Sequence, residues 1–173
     1  MMSSDGVKPR VPQLVRPCQP ADFEAVYAII NDAAQAYRGV IPPDCWHEPY
    51  MPREELAHEI RQGVAFWGLE QAGVLLGVMG LQPVNDVTLI RHAYLTSDRR
   101  GEGIGGKLLE HLLQMTAGPI LVGTWAAAEW AELCHSVLRR PSSVTTYRCR
   151  IKGRCRRPSR PNCAKSFVTR EGG

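Results

Sequence analysis

"DRRGEGIGGKLL", residues Asp98 to Leu109, sets four glycines in six positions between an arginine pair and a run of mixed apolar and charged residues. Glycine lets a backbone approach a ligand with no Cβ in the way. "VTLIRHAYL" (87–95) before it reads as a strand. After it, Ile104, Leu108, Leu112 and Met115 recur on one helical face, with Lys107, Glu110 and Gln114 on the other. A helix that opens on such a turn presents unpaired N–H groups and a partial positive charge, which suit an anion. Arg99 and Arg100 add cationic partners.

Three occupants fit this description: a nicotinamide dinucleotide, the pyrophosphate of coenzyme A, or none, the glycines serving only a turn. The spelling Gly101-x-Gly103-x-x-Gly106 matches the dinucleotide fingerprint. That fingerprint requires an early βαβ unit and an acid about 20 residues on for the ribose. Here several strands precede the loop, and Glu129 lies well past the next strand. The dinucleotide reading therefore fails on context, and a bare turn leaves the glycines and arginines at a helix start unexplained.

Working outward, "QLVR" (13–16) reads as a short strand, followed by a helix with Pro20, Asp22 and Glu24 at its start. Phe23, Val26, Ile30, Ala33 and Tyr37 give that helix its apolar stripe. The loop "GVIPPDCWHEPYM" leads to a second helix from Pro52 to about Gln62. "VAFWGLE", "VLLGVMGLQ" and "VTLIRHAYL" are three β-type runs, the first two joined by a turn at Gln71-Ala72-Gly73. "ILVGTWA" (120–126) reads as a further strand. The order β-α-α-β-β-β-α-β is that of an α/β domain.

The 173 residues suit one domain with a substantial core. No apolar run approaches the roughly 20 residues of a membrane span, and the first residues carry no apolar leader. The expectation is a cytoplasmic protein without a membrane partner.

Composition changes sharply near Ala131. Residues 1–131 carry 10 Lys and Arg against 15 Asp and Glu, a net of −5, whereas 132–173 carry 11 against 2, a net of +9. The expected organisation is a disordered 1–11, a folded 12–131, and a basic, Cys/Arg-rich 132–173.

Arg100-Gly101-Glu102-Gly103-Ile104-Gly105 resembles the Arg/Gln-x-x-Gly-x-Gly/Ala loop of the GNAT superfamily, the GCN5-related N-acetyltransferases. "IGGKLLEHLL" and the opening "LVRPCQPADFEAVYAIIN" are similar to that family's segments as well, and the order of elements agrees to about Ala128. The resemblance implies an acyl-CoA N-acyltransferase fold, with a mixed central sheet flanked by helices. It implies that amides of Arg100, Gly101, Glu102, Gly103, Ile104, Gly105, Gly106 and Lys107, beside Arg99, bind the pyrophosphate of acetyl-CoA. Tyr94 and Leu95 would line the pantetheine arm and polarise the thioester through a backbone amide. An amine, on a small molecule or a protein, would then attack the thioester directly.

The family does not fix the base by motif. His92, on the strand facing the acceptor region, is the candidate, since an imidazole changes charge near neutrality. Asp44, His47 and Glu48 lie in the loop that often shapes the acceptor pocket, although a solvated loop equally accounts for their charges. Cys45 and His47 fall short of the four ligands of structural zinc, and Cys149, Cys155 and Cys163 form no Cys-x-x-Cys pair. No metal is expected.

After "GTWAAA" the family implies a helix with a Phe-Tyr pair, whose tyrosine protonates the leaving thiolate, and closing strands. Instead the chain reads "ELCHSVLRRPSSVTTYRCRIKGRCRRPSRPNCAKSFVTREGG". Cysteine aside, nine of these 42 residues are apolar, too few to offset ordering entropy, so disorder and the absence of the closing strands are expected. Tyr147 has no family-like neighbours and is not taken as the acid. A reading-frame change near Glu132 would account for the switch. Read one nucleotide forward, codons for Glu132 to Arg140 can encode Ser-Cys-Ala-Ile-Arg-Phe-Tyr-Glu-Gly. "ILVGTWA" would then be a bare edge prone to pairing with another chain, hence an expectation of homodimers. Two alternatives to an active acetyltransferase stay open: a catalytically dead acyl-CoA-binding remnant, and nucleic-acid binding through the basic tail. The second is disfavoured, because only Tyr147 and Phe167 offer aromatic stacking.

Overall fold

The computed structural model describes residues 11–125 and 144–149, the backbone alone being described at 123–125 and 144–149. The chain runs β1 (Gln13–Pro17), α1 (Phe23–Ala34), α2 (Arg53–Arg61), β2 (Ala65–Gln71), β3 (Val74–Val84), β4 (Val87–Leu95), α3 (Ile104–Met115), β5 (Ile120–Trp125) and β6 (Val144–Cys149). The strands form one sheet in chain order, β1 to β6. Pairing is antiparallel from β1 to β4, then parallel from β4 to β5 and from β5 to β6. A parallel pair needs a crossover, and α3 supplies the one between β4 and β5.

Short-range chemistry explains the meander. Ala72 and Gly73 both take positive φ, +53° and +79°, as a two-residue hairpin between right-twisted strands requires. Arg16, at the end of β1, lies between Glu70 (Nε to Oε2, 2.6 Å) and Asp22 (Nη1 to Oδ2, 2.7 Å). The Arg16 hydrogen bond, with the Gln19 amide, holds the Asp22 carboxyl down at about 2. This triad fixes the turn from β1 into α1.

Each face of the sheet carries its own core. On one, Val26, Ile29 and Ile30 of α1 and Leu56 of α2 pack on Phe66, Leu75 and Val78. On the other, Ile104, Leu108, Leu109 and Leu112 of α3 pack on Leu69, Leu76, Met79, Ile90 and Ile120. Burying any one of these large side chains is worth about 1.5–3 kcal/mol. The expected α3 stripe is corrected at its end. Met115 is 52% exposed, and Leu109 takes a core place instead, because the helix stops at Met115 before its last turn can close on the sheet.

A second correction concerns the tail. No strand was expected beyond residue 131, yet Val144–Cys149 pairs with β5 over six positions, from Ile120↔Val144 to Trp125↔Cys149. β5 is therefore not a bare edge. "VTTYRC" is rich in β-branched and aromatic residues, a preference that counting apolar residues does not register. Residues 1–10, 126–143 and 150–173, with the expected reading-frame change, lie outside the described residues. Among the described residues, no helix is long and apolar enough to cross a membrane.

Candidate functional site

The parallel ladder between β4 and β5 has only three positions, Thr88↔Ile120, Leu89↔Leu121 and Ile90↔Val122. Both strands continue, β4 to Leu95 and β5 to Trp125, without pairing further. The sheet thus opens between them, and β4 backbone groups beyond Ile90 are not used by β5. The Thr96–Gly103 loop leads from that opening into α3.

The loop is set by backbone conformation and by anchors on α1. Gly101 (φ +84°) and Gly103 (φ +76°, ψ +8°) are left-handed, and a Cβ at either would meet nothing within 4 Å. Conformation, not crowding, calls for glycine here. The Ser97 amide donates to Asp32 Oδ2 (2.7 Å) and its hydroxyl to Oδ1 (3.0 Å). Arg100 Nη2 donates to the Ala33 carbonyl (3.2 Å). The first helical bond of α3 runs from Lys107 N–H to the Gly103 carbonyl (3.1 Å). The amides of Ile104, Gly105 and Gly106 thus precede the helix's own acceptors. No side chain caps Gly103, and no acid sits in the first turn of α3. A glycine-lined backbone with spare N–H groups at the positive end of a dipole has the donor set that a pyrophosphate requires.

The sequence-derived residues divide by what their side chains do. Ile104 is fully buried and Leu95 packs beside it, so these two offer the site only backbone. Gly105 and Gly106, which have no side chain, likewise offer only their amides. Arg99 is held by Glu102 (3.3 Å to either oxygen) and lies 3.8 Å from Asp98. Arg100 is spent partly on α1, as above. Lys107 donates to Gln13 Oε1 across to β1.

The other side of the opening is a bulge in β4. Val78 pairs with Tyr94 and Gly80 with Arg91, so His92 and Ala93 face the single residue Met79. His92 sits in the bulge at φ +52°, a conformation that residues other than glycine rarely hold without support. One extra residue reverses the alternation of side chains. Arg91, His92 and Tyr94 consequently all reach the face of α1 and α2. Glycines opposite make room: a Cβ on Gly80 would lie 3.1 Å from the Arg91 carbonyl and 2.7 Å from Val64 Cγ1.

His92 is not an open histidine. Its side chain is 13% exposed, stacks on Phe66 with ring centroids 5.8 Å apart, and meets Glu59 through Nε2 (3.4 Å). Glu59, from α2, also pairs with Arg91 (2.7 Å). Burial raises the Glu59 pKa, but the hydrogen bond from His92 and the charge of Arg91 more than offset it and leave the carboxyl below its ordinary value.

Tyr94 joins an aromatic cluster. Its ring lies 6.3 Å from that of Tyr37, which lies 5.8 Å from that of Tyr50. Trp46 packs tilted against Tyr50 at 5.7 Å, and His47 stacks on it at 6.1 Å. Burial, with the neighbouring phenols, pushes the Tyr94 hydroxyl well above its ordinary pKa. Asn31 clasps this loop, accepting from Met51 N–H (2.9 Å) and donating to the Met51 carbonyl (3.0 Å). Of the loop residues singled out in the sequence, His47 is exposed and contacts the Pro49 carbonyl, Glu48 lies near Arg38, and Asp44 is exposed. Glu59, Tyr37, Tyr50 and Asp32 were not singled out. The contacts that place Glu59, Tyr37 and Asp32 in the site come from residues far away in sequence, and only Tyr37 gave any signal, as part of the stripe expected of the first helix.

Comparison with known proteins bears on the family and the fold. The family model described as acetyltransferase (GNAT) family matches residues 24–131. An acetyltransferase of the GNAT family from Staphylococcus aureus superposes with a TM-score of 0.57 at 17% identity, covering 76% of this chain and 91% of that one. A ribosomal-protein-alanine N-acetyltransferase from Brucella melitensis gives 0.56 at 24% identity, covering 73% and 83%. The PaiA N-acetyltransferase from Thermoplasma acidophilum, solved with coenzyme A, gives 0.51 at 20% identity, covering 60% and 71%. No curated protein matches the sequence.

Proposed function

The chain belongs to the GNAT acetyltransferase family, and from that premise we propose that it transfers an acetyl group from acetyl-CoA to an amine. The observation that carries this is the opening between β4 and β5 beyond Ile90↔Val122, with the glycine loop leading out of it. In this reading the amides of Arg100 to Gly106, beside Arg99, receive the pyrophosphate, and the Lys107 amide, expected among them, is instead bonded to the Gly103 carbonyl. The β4 backbone at Tyr94 and Leu95, which β5 leaves unused, lines the pantetheine arm and donates to the thioester carbonyl. Charge developing on that oxygen in the transition state is where a fixed N–H helps most.

The acceptor approaches from the α1–α2 side, where Tyr37, Tyr50 and Trp46 wall the loop. Its nitrogen bonds to the acetyl carbon, the carbon–sulfur bond breaks, and coenzyme A leaves as the thiolate. Holding the two reactants together supplies much of the rate. The amine proton goes to a base, for which His92 is the candidate. With Nε2 turned to Glu59, Nδ1 is the nitrogen left to accept it. The acid for the thiolate is unassigned. The acceptor class, a small molecule or a protein amine, is open in this reading. We take the setting as cytoplasmic, supported by the Cys18 thiol, which forms no disulfide.

The test is thiol release from acetyl-CoA with a panel of amines, beside calorimetry with coenzyme A. Release above the buffer rate establishes the transferase. Coenzyme A binding with no turnover of any amine supports the catalytically dead remnant instead. Failure of both removes the reading.

A further inference from the structure

We propose that Glu59 of α2 is a positioning residue for acetyl transfer, holding the β4 bulge in the form that opens the site. The proposal rests on the reading above and goes beyond it to a residue that touches neither substrate.

Three observations converge. Glu59 is the group on which both charged side chains of the bulge close: Oε1 accepts from Arg91 Nη2 (3.2 Å), and Oε2 lies 2.7 Å from Arg91 Nη1 and 3.4 Å from His92 Nε2. The residue so held, His92, carries the left-handed backbone that makes the bulge. A non-glycine residue stays in that region only where its surroundings fix it. Lastly, α2 meets the sheet lightly, since its other polar anchor, Arg53, reaches Glu24 and Tyr27 of α1. Leu56 is its one buried residue, and Ile60 is 41% exposed beside a cavity of about 550 Å³ lined by Cys18, Phe23, Val64 and Phe66. A helix seated this lightly is located by its polar contacts, and Glu59 is its link to β4.

A second path reinforces the same corner. Gln82 of β3 donates to the Gln62 carbonyl just past α2 (3.0 Å) and accepts from Arg91 Nη1 (2.9 Å). The end of α2, the last part of β3 and the bulge are thereby one hydrogen-bonded unit. If it releases, His92 can relax toward ordinary extended backbone and the alternation beyond it reverses. Tyr94 would then turn from the Tyr37 and Tyr50 face toward α3, and the backbone groups at Tyr94 and Leu95 would lose their aim. The pyrophosphate loop, anchored on Asp32 and Ala33, would stay as it is.

The experiment uses the full chain labelled with nitrogen-15, with Glu59→Ala to remove the acceptor and Glu59→Gln to keep an oxygen without the charge. Wild type at alkaline pH should show His92 with its proton on Nε2, the signals being assigned by their loss in His92→Gln. Glu59→Ala should give mixed tautomers, and kcat should fall roughly tenfold to a hundredfold. KM for acetyl-CoA and the affinity for coenzyme A should move less than about threefold, with Glu59→Gln between the two. A proton on Nδ1 in wild type overturns the proposal, as does wild-type kcat in Glu59→Ala. Equal losses of kcat and coenzyme A affinity also overturn it, since they would mark general damage. Should Glu59→Ala not fold, Glu59→Gln carries the same comparison. If wild type turns over no amine, the transferase reading fails, while the His92 tautomers in the three proteins still decide what Glu59 holds.

Discussion

The two sides of the opening between β4 and β5 are made from different material. On one side, the loop into α3 is built of main chain: two left-handed glycines, three amides ahead of their helical acceptors, and no capping side chain. On the other, the bulge in β4 is held by side chains that arrive from α2 and β3, Glu59 and Gln82. A main-chain site is written in consecutive residues and tolerates change in almost everything but glycine. A side-chain site has its parts scattered and fails when any one is lost. The division suits the reading of the site, since a pyrophosphate needs donors of any origin, whereas a thioester carbonyl needs one donor aimed within narrow limits.

The largest expected effect tests the first half of that contrast. Gly103→Glu places a side chain at φ +76° and an anion where the phosphates would lie. Left-handed backbone costs a side chain about 1–2 kcal/mol, and the new carboxylate would repel the phosphates and compete for the helix-start N–H groups that receive them. At about 1.4 kcal/mol per tenfold, coenzyme A affinity should fall roughly a hundredfold, to the limit of calorimetry. Affinity within a few-fold of wild type would mean that the loop is not the anion site.

That half was also the legible one. "GEGIGG" between a strand and an amphipathic run names the loop by itself, because Gly101, Gly103 and the start of α3 are neighbours in sequence. The strands were legible for a related reason: period-two patterning and the Ala72-Gly73 turn are local. The bulge was not. "IRHAYL" reads as uninterrupted strand, and nothing in it says that His92 is an extra residue. Only the break in register opposite Met79 and its contact with Glu59, 33 positions earlier, show it. His92 could be picked as a base from its chemistry, but its burial against Phe66 could not. The tail failed in the opposite sense. A low apolar count argued against any strand, while Val144, Thr145, Thr146 and Tyr147 had the residue types that strands prefer.

The second prediction separates the two sides. Gly80→Val puts a branched side chain against the Arg91 carbonyl, 3.1 Å from where its Cβ would stand. Backbone cannot yield as a flexible side chain does, so overpacking should destabilise the fold by about 1–3 kcal/mol. Urea unfolding should show this as a lower midpoint with an unchanged slope. Coenzyme A affinity of the folded protein should be unaltered. If that affinity falls in step with stability, loop and bulge are one unit and the contrast is wrong.

The smallest effect asks whether the main-chain side is as self-sufficient as it looks. Asp32, near the end of α1, takes two hydrogen bonds from Ser97 and so moors the start of the loop. It is exposed, and an asparagine of the same shape could keep one oxygen in place. Bonds to a charged acceptor are about twice as strong as neutral ones. Solvent competes for this one, so the loss should be a fraction of its intrinsic worth, about 0.5–1 kcal/mol. Asp32→Asn should then weaken coenzyme A binding by about two- to fivefold and lower the unfolding midpoint only slightly. A drop as large as that of Gly103→Glu would show that the loop depends on α1 for its conformation, and that both sides are held from outside. No change at all would show that the glycines and the α3 amides suffice. The expected intermediate value places Asp32 as a mooring, which narrows the loop's range without creating its shape.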